Sequence, residues 1–353
     1  MANLDETRSY REIDPKGMGD LIEAFPAQVE EAWRLGREAQ VPSDYAAVDN
    51  IIVQGMGGSA IGGDLLRALY AEELKVPVMV VRDYSVPRFA GPRTLFIASS
   101  YSGNTEETLA GYGEAKRRGC KILCLASGGE IASRAKADGF PFIAIPSLGI
   151  QPRAALGYSF FPLLAVWSRL GMIPDVAGDV QETLAVLRAG VERLSRAVPG
   201  NPAKSLAQWL HGHYPLIYAA GTWPGVVAAR WKGQINENAK NLAFWNAFPE
   251  LNHNETVGYE APAELVKRIR VVVLRTGDES VRVAKRIEVT REIIARAGAQ
   301  TREIAGEGRS ALARMFSLIQ QGDFASYYLA ILNGIDPTPV KAIDLLKGEL
   351  AKL

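Results

Sequence analysis

His253 is one of only three histidines in this chain of 353 residues, and it lies in the polar segment PELNHNET, residues 249–256. A histidine in a protein core has apolar neighbours, whereas this one stands between Asn252 and Asn254, with two glutamates close by. An imidazole can accept and donate a proton near neutral pH. The segment therefore marks His253 as a candidate for proton transfer; the plainer alternative is a hydrogen-bonded loop histidine.

The segment GMGGSAIGGD, residues 55–64, is a candidate anion site. It follows a strand-like run and opens a helix-like run, where glycines let a ligand approach the backbone and free N–H groups face an anion. Gly55, Gly57 and Ala60 also fit a permissive dinucleotide pattern, and Asp83 ends the next predicted strand, where a ribose-binding acid would lie. A nicotinamide cofactor and a plain strand–helix turn are therefore both alternatives to a phosphate site.

A second segment, SSYSGNTEET, favours phosphate. It spans residues 99–108, lies between a predicted strand and a predicted helix, and includes Ser100, Ser102 and Thr105. Thr105 is placed to cap the helix, but capping uses one hydroxyl, and several hydroxyls converge here on one helix start. The three oxygens of a phosphate monoester accept several short hydrogen bonds. The segment has no Walker lysine, which argues against nucleoside triphosphate hydrolysis.

These segments belong to a repeating pattern of short apolar runs and longer amphipathic runs. From residue 50, strand-like runs such as NIIVQGMG, RTLFIASS and KILCLAS alternate with helix-like runs. Strands this apolar predict a parallel, doubly wound sheet covered on both faces. The segment VPGNP interrupts the pattern, which then restarts at PLIYAAGTW. The sequence thus predicts two α/β/α units, residues 1–198 and 199–353, the second ending in a C-terminal helix.

Composition and cysteine usage limit the classes of partner. The chain has 40 basic and 39 acidic residues, a balance that gives no reason to expect nucleic acid or an anionic membrane. The start lacks the apolar region of a signal peptide, and no apolar run is long enough to span a bilayer. Cys120 and Cys124 lie roughly 13 Å apart on a predicted strand, too far for a disulfide. We expect a cytoplasmic protein with reduced thiols and, with so few histidines and cysteines, no zinc site.

Six segments together carry a family resemblance. YSGNTEET after a strand resembles the phosphate loop of sugar isomerase (SIS) domains. With GMGGSAIGGD, PRAALGYS, NENAK, ELNHNE and DPTPVKAI, it resembles the bifunctional phosphoglucose/phosphomannose isomerase family. These segments occur in order from residue 55 to residue 343, so the resemblance covers nearly the whole chain; Ala60 departs from the expected glycine. The resemblance implies that both α/β units are flavodoxin-like SIS domains.

The resemblance also implies an activity, the interconversion of glucose 6-phosphate and mannose 6-phosphate with fructose 6-phosphate. This chemistry needs ring opening, proton transfer from C2 to C1 and stabilisation of a cis-enediolate, and it needs no metal or redox cofactor. By the resemblance, Glu237 is the base, and His253, sixteen residues later, opens the ring. Lys341 would lie near the ring oxygen and O1, and Arg153 would stabilise the enediolate.

The resemblance implies further which residues hold the substrate and how subunits combine. The substrate-binding residues would be Gly58, Ser59, Ser100, Ser102 and Thr105. The protein would be a homodimer in which His253 acts from the neighbouring chain. The aromatic stretch NLAFWNAF before His253 is then a candidate interface, and the alternative is that it belongs to the chain's own core.

Two other functions stay open at this stage. One is a non-catalytic SIS-type regulator that binds a sugar phosphate, although such a sensor has no need of Glu237, His253 and Lys341. The other is an NAD(P)-dependent dehydrogenase, which depends on the Gly55–Ala60 pattern and Asp83. Without the resemblance, Glu237, Lys341 and Arg153 would be ordinary charged residues near helix ends.

Overall fold

The computed structural model of this chain describes residues 3–6, 10–350 and 352. They form two compact units: residues 24–184, and the described residues of 1–23 together with those of 185–353. This division differs from the predicted boundary after residue 198. Two short N-terminal helices, α1 (Tyr10–Ile13) and α2 (Met18–Glu23), belong to the second unit, where Arg196 donates a hydrogen bond of 2.8 Å to the Glu23 carboxylate.

The unit of residues 24–184 contains a five-stranded parallel sheet in the order β2–β1–β3–β4–β5. Its strands are β1 (Asn50–Gln54), β2 (Val78–Val81), β3 (Thr94–Ser99), β4 (Lys121–Ala126) and β5 (Phe142–Ala144). Its helices are α3 (Phe25–Glu38), α4 (Gly57–Leu69), α5 (Glu106–Arg117), α6 (Gly129–Asp138) and α7 (Leu156–Arg169), with the start of α8 (Ala177–Leu194). This flavodoxin-like strand order reverses between β1 and β3, the place where such folds bind ligands.

The other unit contains a four-stranded parallel sheet in the order β7–β6–β8–β9. Its strands are β6 (Tyr214–Ala220), β7 (Phe244–Phe248), β8 (Ile269–Arg275) and β9 (Gln300–Ala305). Its later helices are α9 (Pro202–Leu210), α10 (Thr222–Ala239), α11 (Ala263–Val266), α12 (Val281–Arg296), α13 (Ala311–Leu332) and α14 (Lys341–Leu350). Two parallel-sheet α/β units and a C-terminal helix were predicted from the sequence pattern, and the structure confirms them.

Strand β7 is not among the predicted strands. It pairs with β6 at the edge of the sheet and comprises most of the NLAFWNAF stretch. Ala243 and Phe248 are buried, whereas Leu242, Phe244 and Trp245 are 63%, 54% and 43% exposed. The stretch therefore contributes both to the core and to an exposed apolar edge, and we call Leu242, Phe244 and Trp245 the β7 edge.

The second sheet separates helix α10 from the segment that follows β7. On one face, Gly225 of α10 lies against Ala247: a Cβ added to this glycine would be 3.5 Å from the Ala247 Cβ. On the other face, the Tyr218 hydroxyl donates a hydrogen bond of 2.6 Å to Glu255. Tyr218 is in register with Asn246, the neighbour of Ala247, and successive strand residues point to opposite faces. Helix α10 and residues 250–260 therefore cover opposite faces of the sheet.

Two further sequence predictions concern membranes and thiols. No helix within the described parts of the chain has the length and apolarity needed to cross a membrane. Cys120 and Cys124 are free and buried, and burial raises the pKa of the Cys124 thiol to about 12. These thiols are therefore protonated at neutral pH, which makes them poor nucleophiles.

Candidate active site

The loops after β1 and β3 are joined by hydrogen bonds at the point where the strand order of the first sheet reverses. The backbone N–H of Tyr101 donates to the Ser59 hydroxyl at 3.0 Å. The Ser99 hydroxyl donates to the backbone carbonyl of Ser59 at 2.9 Å. The predicted glycine-rich and hydroxyl-rich segments are thus in direct contact, with the buried Ser59 bonded to both Ser99 and Tyr101.

Close backbone contacts explain the glycines of the first loop. A Cβ added to Gly58 would lie 2.5 Å from the Pro152 carbonyl and 2.8 Å from the Arg153 nitrogen, and one added to Gly55 would lie 2.6 Å from the Ser99 carbonyl. Arg153 is buried in a short 3₁₀ turn beside Gly58. The structure therefore brings Arg153 to the same loops as Gly58 and Ser59. The first glycine of the dinucleotide-like pattern serves chain packing.

The hydroxyl-rich loop has one buried hydroxyl and one exposed one. Ser100 is buried, and its Oγ accepts a hydrogen bond from the Gly103 N–H at 3.1 Å and lies 2.9 Å from the Thr105 Oγ1. Ser102 is exposed, and its Oγ accepts from the Asn104 N–H at 3.2 Å. The three hydroxyls predicted to bind phosphate therefore belong to one compact loop.

Thr105 occupies the predicted N-cap position of α5, but its hydroxyl does not cap the helix. It bonds Ser100 instead. Met56, the residue before α4, supplies no side-chain cap either. Two helix starts without side-chain caps thus flank the loops, and the N–H groups of a helix start favour an anion.

Gln54 connects the end of β1 to the segment after β2 and to the start of α5. It was not among the predicted site residues. It ends β1, is buried, and its side-chain amide donates hydrogen bonds of 2.7 Å to the Asp83 carbonyl and to the Glu107 carbonyl in the first turn of α5. A Cβ added to Gly111 would clash with this side chain. The amide thus supports the start of α5 from the end of β1.

The second unit has a pocket of about 590 Å³ at the end of α10. Glu237 and Lys341 both line it, with the segment of residues 335–343 forming one side. Ligand pockets for small molecules have volumes of about 300–1,000 Å³. Glu237 is half-buried, whereas Lys341, the first residue of α14, is exposed. The structure thus brings the predicted base and the predicted lysine to one pocket.

A row of polar residues on one face of α10 bonds to α13 and fixes the orientation of α10 about its axis, and with it the position of Glu237. Arg230 donates to Asp323 of α13 at 2.9 Å, and Gln234 donates to the same carboxylate at 2.8 Å. One turn further on, the Asn238 amide donates to the Ser326 hydroxyl at 3.0 Å. These α10 residues recur every four positions and share one helix face. Glu237 precedes the last of them and lies beside that face.

His253 is exposed at the end of a 3₁₀ turn, Glu250–His253, and its neighbours have structural partners. The Asn252 amide donates to the Thr290 hydroxyl at 2.8 Å, and the Asn254 amide donates to Glu250 at 2.8 Å. The polar neighbours noted in the sequence thus hold the turn. The imidazole itself is presented at the protein surface, on the sheet face opposite α10.

A buried network fixes the segment after His253. The Tyr218 hydroxyl donates to Glu255 at 2.6 Å and lies 2.8 Å from the Tyr259 hydroxyl. Burial raises the pKa of both tyrosines above the usual range, so both phenols stay protonated and the Tyr218 hydroxyl remains a donor. Asn246 of β7 donates to the other Glu255 oxygen. Glu255 is therefore a structural residue, and it holds the turn that displays His253.

Two parallel flavodoxin-like sheets, with hydroxyl-rich loops at the reversal of the first, define an α/β protein of the SIS class. Residues 200–350 match the family model described as bacterial phospho-glucose isomerase C-terminal SIS domain. The chain belongs to the bifunctional phosphoglucose/phosphomannose isomerase family. It is 45% identical to such an isomerase from Caldicellulosiruptor bescii, over 95% of this chain and 99% of the relative. It is 36% identical to such an isomerase from Aquifex aeolicus, over 94% of this chain and 98% of the relative.

Solved structures show the same fold at low sequence identity. A hypothetical protein from Thermus thermophilus superposes with a TM-score of 0.74 at 18% identity, covering 96% of this chain and 89% of that one. The C-terminal domain of glucosamine-fructose-6-phosphate aminotransferase from Francisella tularensis has a TM-score of 0.70 at 15% identity, covering 92% and 98%. These similarities support the SIS fold assignment.

Proposed function

We propose that this chain isomerises glucose 6-phosphate and mannose 6-phosphate to fructose 6-phosphate. The observation that supports the proposal is the pocket of about 590 Å³ that Glu237 and Lys341 both line, because a carboxylate and an ammonium group at one small-molecule pocket suit acid–base chemistry on a sugar phosphate. A non-catalytic sensor has no use for this pair. The membership of the family, whose members are named as isomerases of both phosphosugars, supports the same activity.

The proposed roles follow from the chemistry of each group. Glu237 takes the proton from C2 and returns it at C1, a task for a positioned and partly desolvated carboxylate. Lys341 donates to the ring oxygen and O1, and Arg153 stabilises the negative enediolate as it forms. His253 moves the proton that opens the ring.

The substrate's phosphate is assigned to the hydroxyl-rich loop. Ser100, Ser102 and Thr105 provide hydroxyl donors within a span of six residues, at a helix start without a side-chain cap. Gly58 and Ser59, which join that loop to the first one, would face the sugar. Neutral hydroxyls and a helix start suit a dianion that must be released after each turnover.

We further propose a homodimer in which His253 acts in the partner's site. Within one chain, the second sheet lies between α10, which carries Glu237, and the turn that carries His253. The β7 edge, with Leu242 just before the strand and Phe244 and Trp245 on it, is the type of exposed apolar surface that a subunit contact covers. A cytoplasmic location, where thiols stay reduced, suits the free and buried Cys120 and Cys124.

Activity on both epimers is the direct test of the proposed function. Glucose and mannose present their C2 protons on opposite faces, so a single base serves both only if the enediol rotates about C2–C3. We expect both 6-phosphates to give fructose 6-phosphate, and Glu237→Asp to slow both reactions by a similar factor. A coupled assay with each aldose phosphate measures this. A variant that loses one activity and keeps the other would require two different bases.

Removing single hydroxyls tests the phosphate loop. Ser102→Ala and Thr105→Ala should each weaken binding of 6-phosphogluconate and raise KM, because each removes a donor to a dianion, at roughly 1.5–3 kcal/mol per charged hydrogen bond. This corresponds to about 10- to 150-fold in affinity. Ser133→Ala, an exposed serine on α6 of the same unit, is the matched control. Wild-type affinity in both loop variants would exclude this loop as the phosphate site.

A further inference from the structure

Lys240 adopts a backbone conformation that is unusual for its residue type. It follows the last residue of α10 as its C-cap, with a φ of 51°, and among the described residues it is the only non-glycine residue with a positive φ. The left-handed region brings a Cβ close to the following carbonyl, so glycine or asparagine is the common choice at such helix ends. A lysine here needs a compensating interaction.

The ammonium group of Lys240 provides that interaction. Its Nζ donates to the carbonyl oxygens of Glu237 at 2.8 Å, of Asp336 at 2.9 Å and of Pro337 at 2.9 Å. An ammonium has three N–H donors, and these three contacts match that number. A longer contact of 3.4 Å reaches the Asn238 carbonyl. We call the three short bonds the Lys240 clasp.

The clasp joins the two segments that line the pocket. The carbonyl of Glu237 belongs to the last turn of α10, where unpaired carbonyls and the helix dipole favour a cation. The carbonyls of Asp336 and Pro337 belong to the segment that leads into Lys341, four residues after Pro337. Thr338 N–H in turn donates to the Asp336 carboxylate at 2.9 Å, which fixes the local turn.

We propose that Lys240 is a positioning residue that sets the distance between Glu237 and Lys341. This inference rests on the proposed function, because it presumes that Glu237 and Lys341 act on one substrate. Lys240 acts through backbone carbonyls, so it orients the reacting groups and takes no proton itself. A guanidinium is a poor substitute, because its planar fork does not match three converging carbonyls.

Two substitutions distinguish the contribution of the Lys240 ammonium group from that of its left-handed backbone conformation. Lys240→Met keeps an apolar stem without the charge, and Lys240→Gly accepts the positive φ without strain. For both we expect kcat on glucose 6-phosphate to fall about 10- to 100-fold, because misplacement by about 1 Å costs rates of this order. KM and 6-phosphogluconate affinity should stay within about threefold. A larger isotope effect with substrate deuterated at C2 should accompany the lower kcat.

Amide hydrogen exchange tests the clasp without reference to activity. In both variants, exchange in residues 336–343 should be faster than in the wild type. Lys285→Met, which removes an exposed lysine of α12 in the same unit, is the control and should change neither exchange nor kcat. Kinetic constants are taken per site titrated with 6-phosphogluconate, so unfolded protein does not contribute.

The outcomes distinguish this inference from the proposed function. A Lys240→Gly variant with kcat within about twofold of the wild type overturns the positioning role, since the turn alone would then suffice. Weaker binding with unchanged kcat overturns it too. Full activity in Glu237→Gln would instead overturn the proposed function, whatever the Lys240 variants show.

Discussion

Glu237→Gln is expected to abolish isomerisation of both aldose phosphates while sugar-phosphate binding stays nearly intact. The amide has almost the shape of the carboxylate but cannot accept the C2 proton. Acid–base groups contribute about 10²- to 10⁴-fold to rates, so we expect a loss of at least about 10²-fold in kcat. The pocket should keep its shape, because the clasp bonds the backbone carbonyl of residue 237, which the substitution does not alter.

Two measurements check this expectation. Fructose 6-phosphate formation by a coupled assay gives kcat, and calorimetric titration with 6-phosphogluconate gives the affinity, which should lie within about threefold of the wild type. Glu264→Gln, an exposed glutamate on α11 of the same unit, is the matched control and should leave both values unchanged. Substantial turnover by a correctly folded Glu237→Gln protein would show that the C2 base is another group.

The strands that could be predicted are those whose burial is uniform. Strands β1, β3 and β4 lie inside a covered parallel sheet, so nearly every residue is buried and each strand has a continuous apolar run that is visible in the sequence. Strand β7 is an edge strand with exposed aromatics and a central Asn246, so neither a continuous apolar run nor a polar–apolar alternation marks it. Its assignment depends on the pairing with β6, a long-range contact.

The predicted boundary after residue 198 differs from the observed division after Leu184, again because long-range contacts determine it. The break at VPGNP exists, since α8 ends at Leu194 and α9 begins at Pro202. The described residues before Ala24, however, join the later unit through contacts such as that of Arg196 with Glu23, which are distant in sequence. The charged N-terminal segment has no hydrophobic periodicity from which its packing against the later unit could be predicted.

In the candidate site, too, the residue types could be predicted from the sequence, whereas their hydrogen-bond partners could not. The sequence motifs identified Ser100, Ser102 and Thr105 of the proposed phosphate loop, because residue type and spacing are visible in a sequence. They did not predict that the Thr105 hydroxyl would bond Ser100 in place of capping α5. They also did not mark Lys240, although it lies within NENAK, because its partners are carbonyls, which every residue has.

Mixing two inactive variants should restore activity if His253 acts in the partner's site. Glu237→Gln should block proton transfer at C2, and His253→Ala should block ring opening. In a mixed dimer with a histidine acting in trans, one site carries both defects and the other is intact. Random pairing in a two-fold dimer then restores roughly a quarter of wild-type activity. Subunit exchange is verified with two affinity tags.

The structure favours the trans arrangement for a geometric reason. Helix α10 and the 3₁₀ turn of His253 cover opposite faces of the second sheet, so an imidazole and a carboxylate from one chain would have to act across a packed layer. His253 is exposed and so is accessible to a neighbouring subunit, and the β7 edge is an exposed apolar surface that the proposed dimer contact could cover. If tagged mixed dimers form and stay as inactive as their parents, His253 serves its own chain, and the proposed subunit contact at the β7 edge loses its catalytic basis.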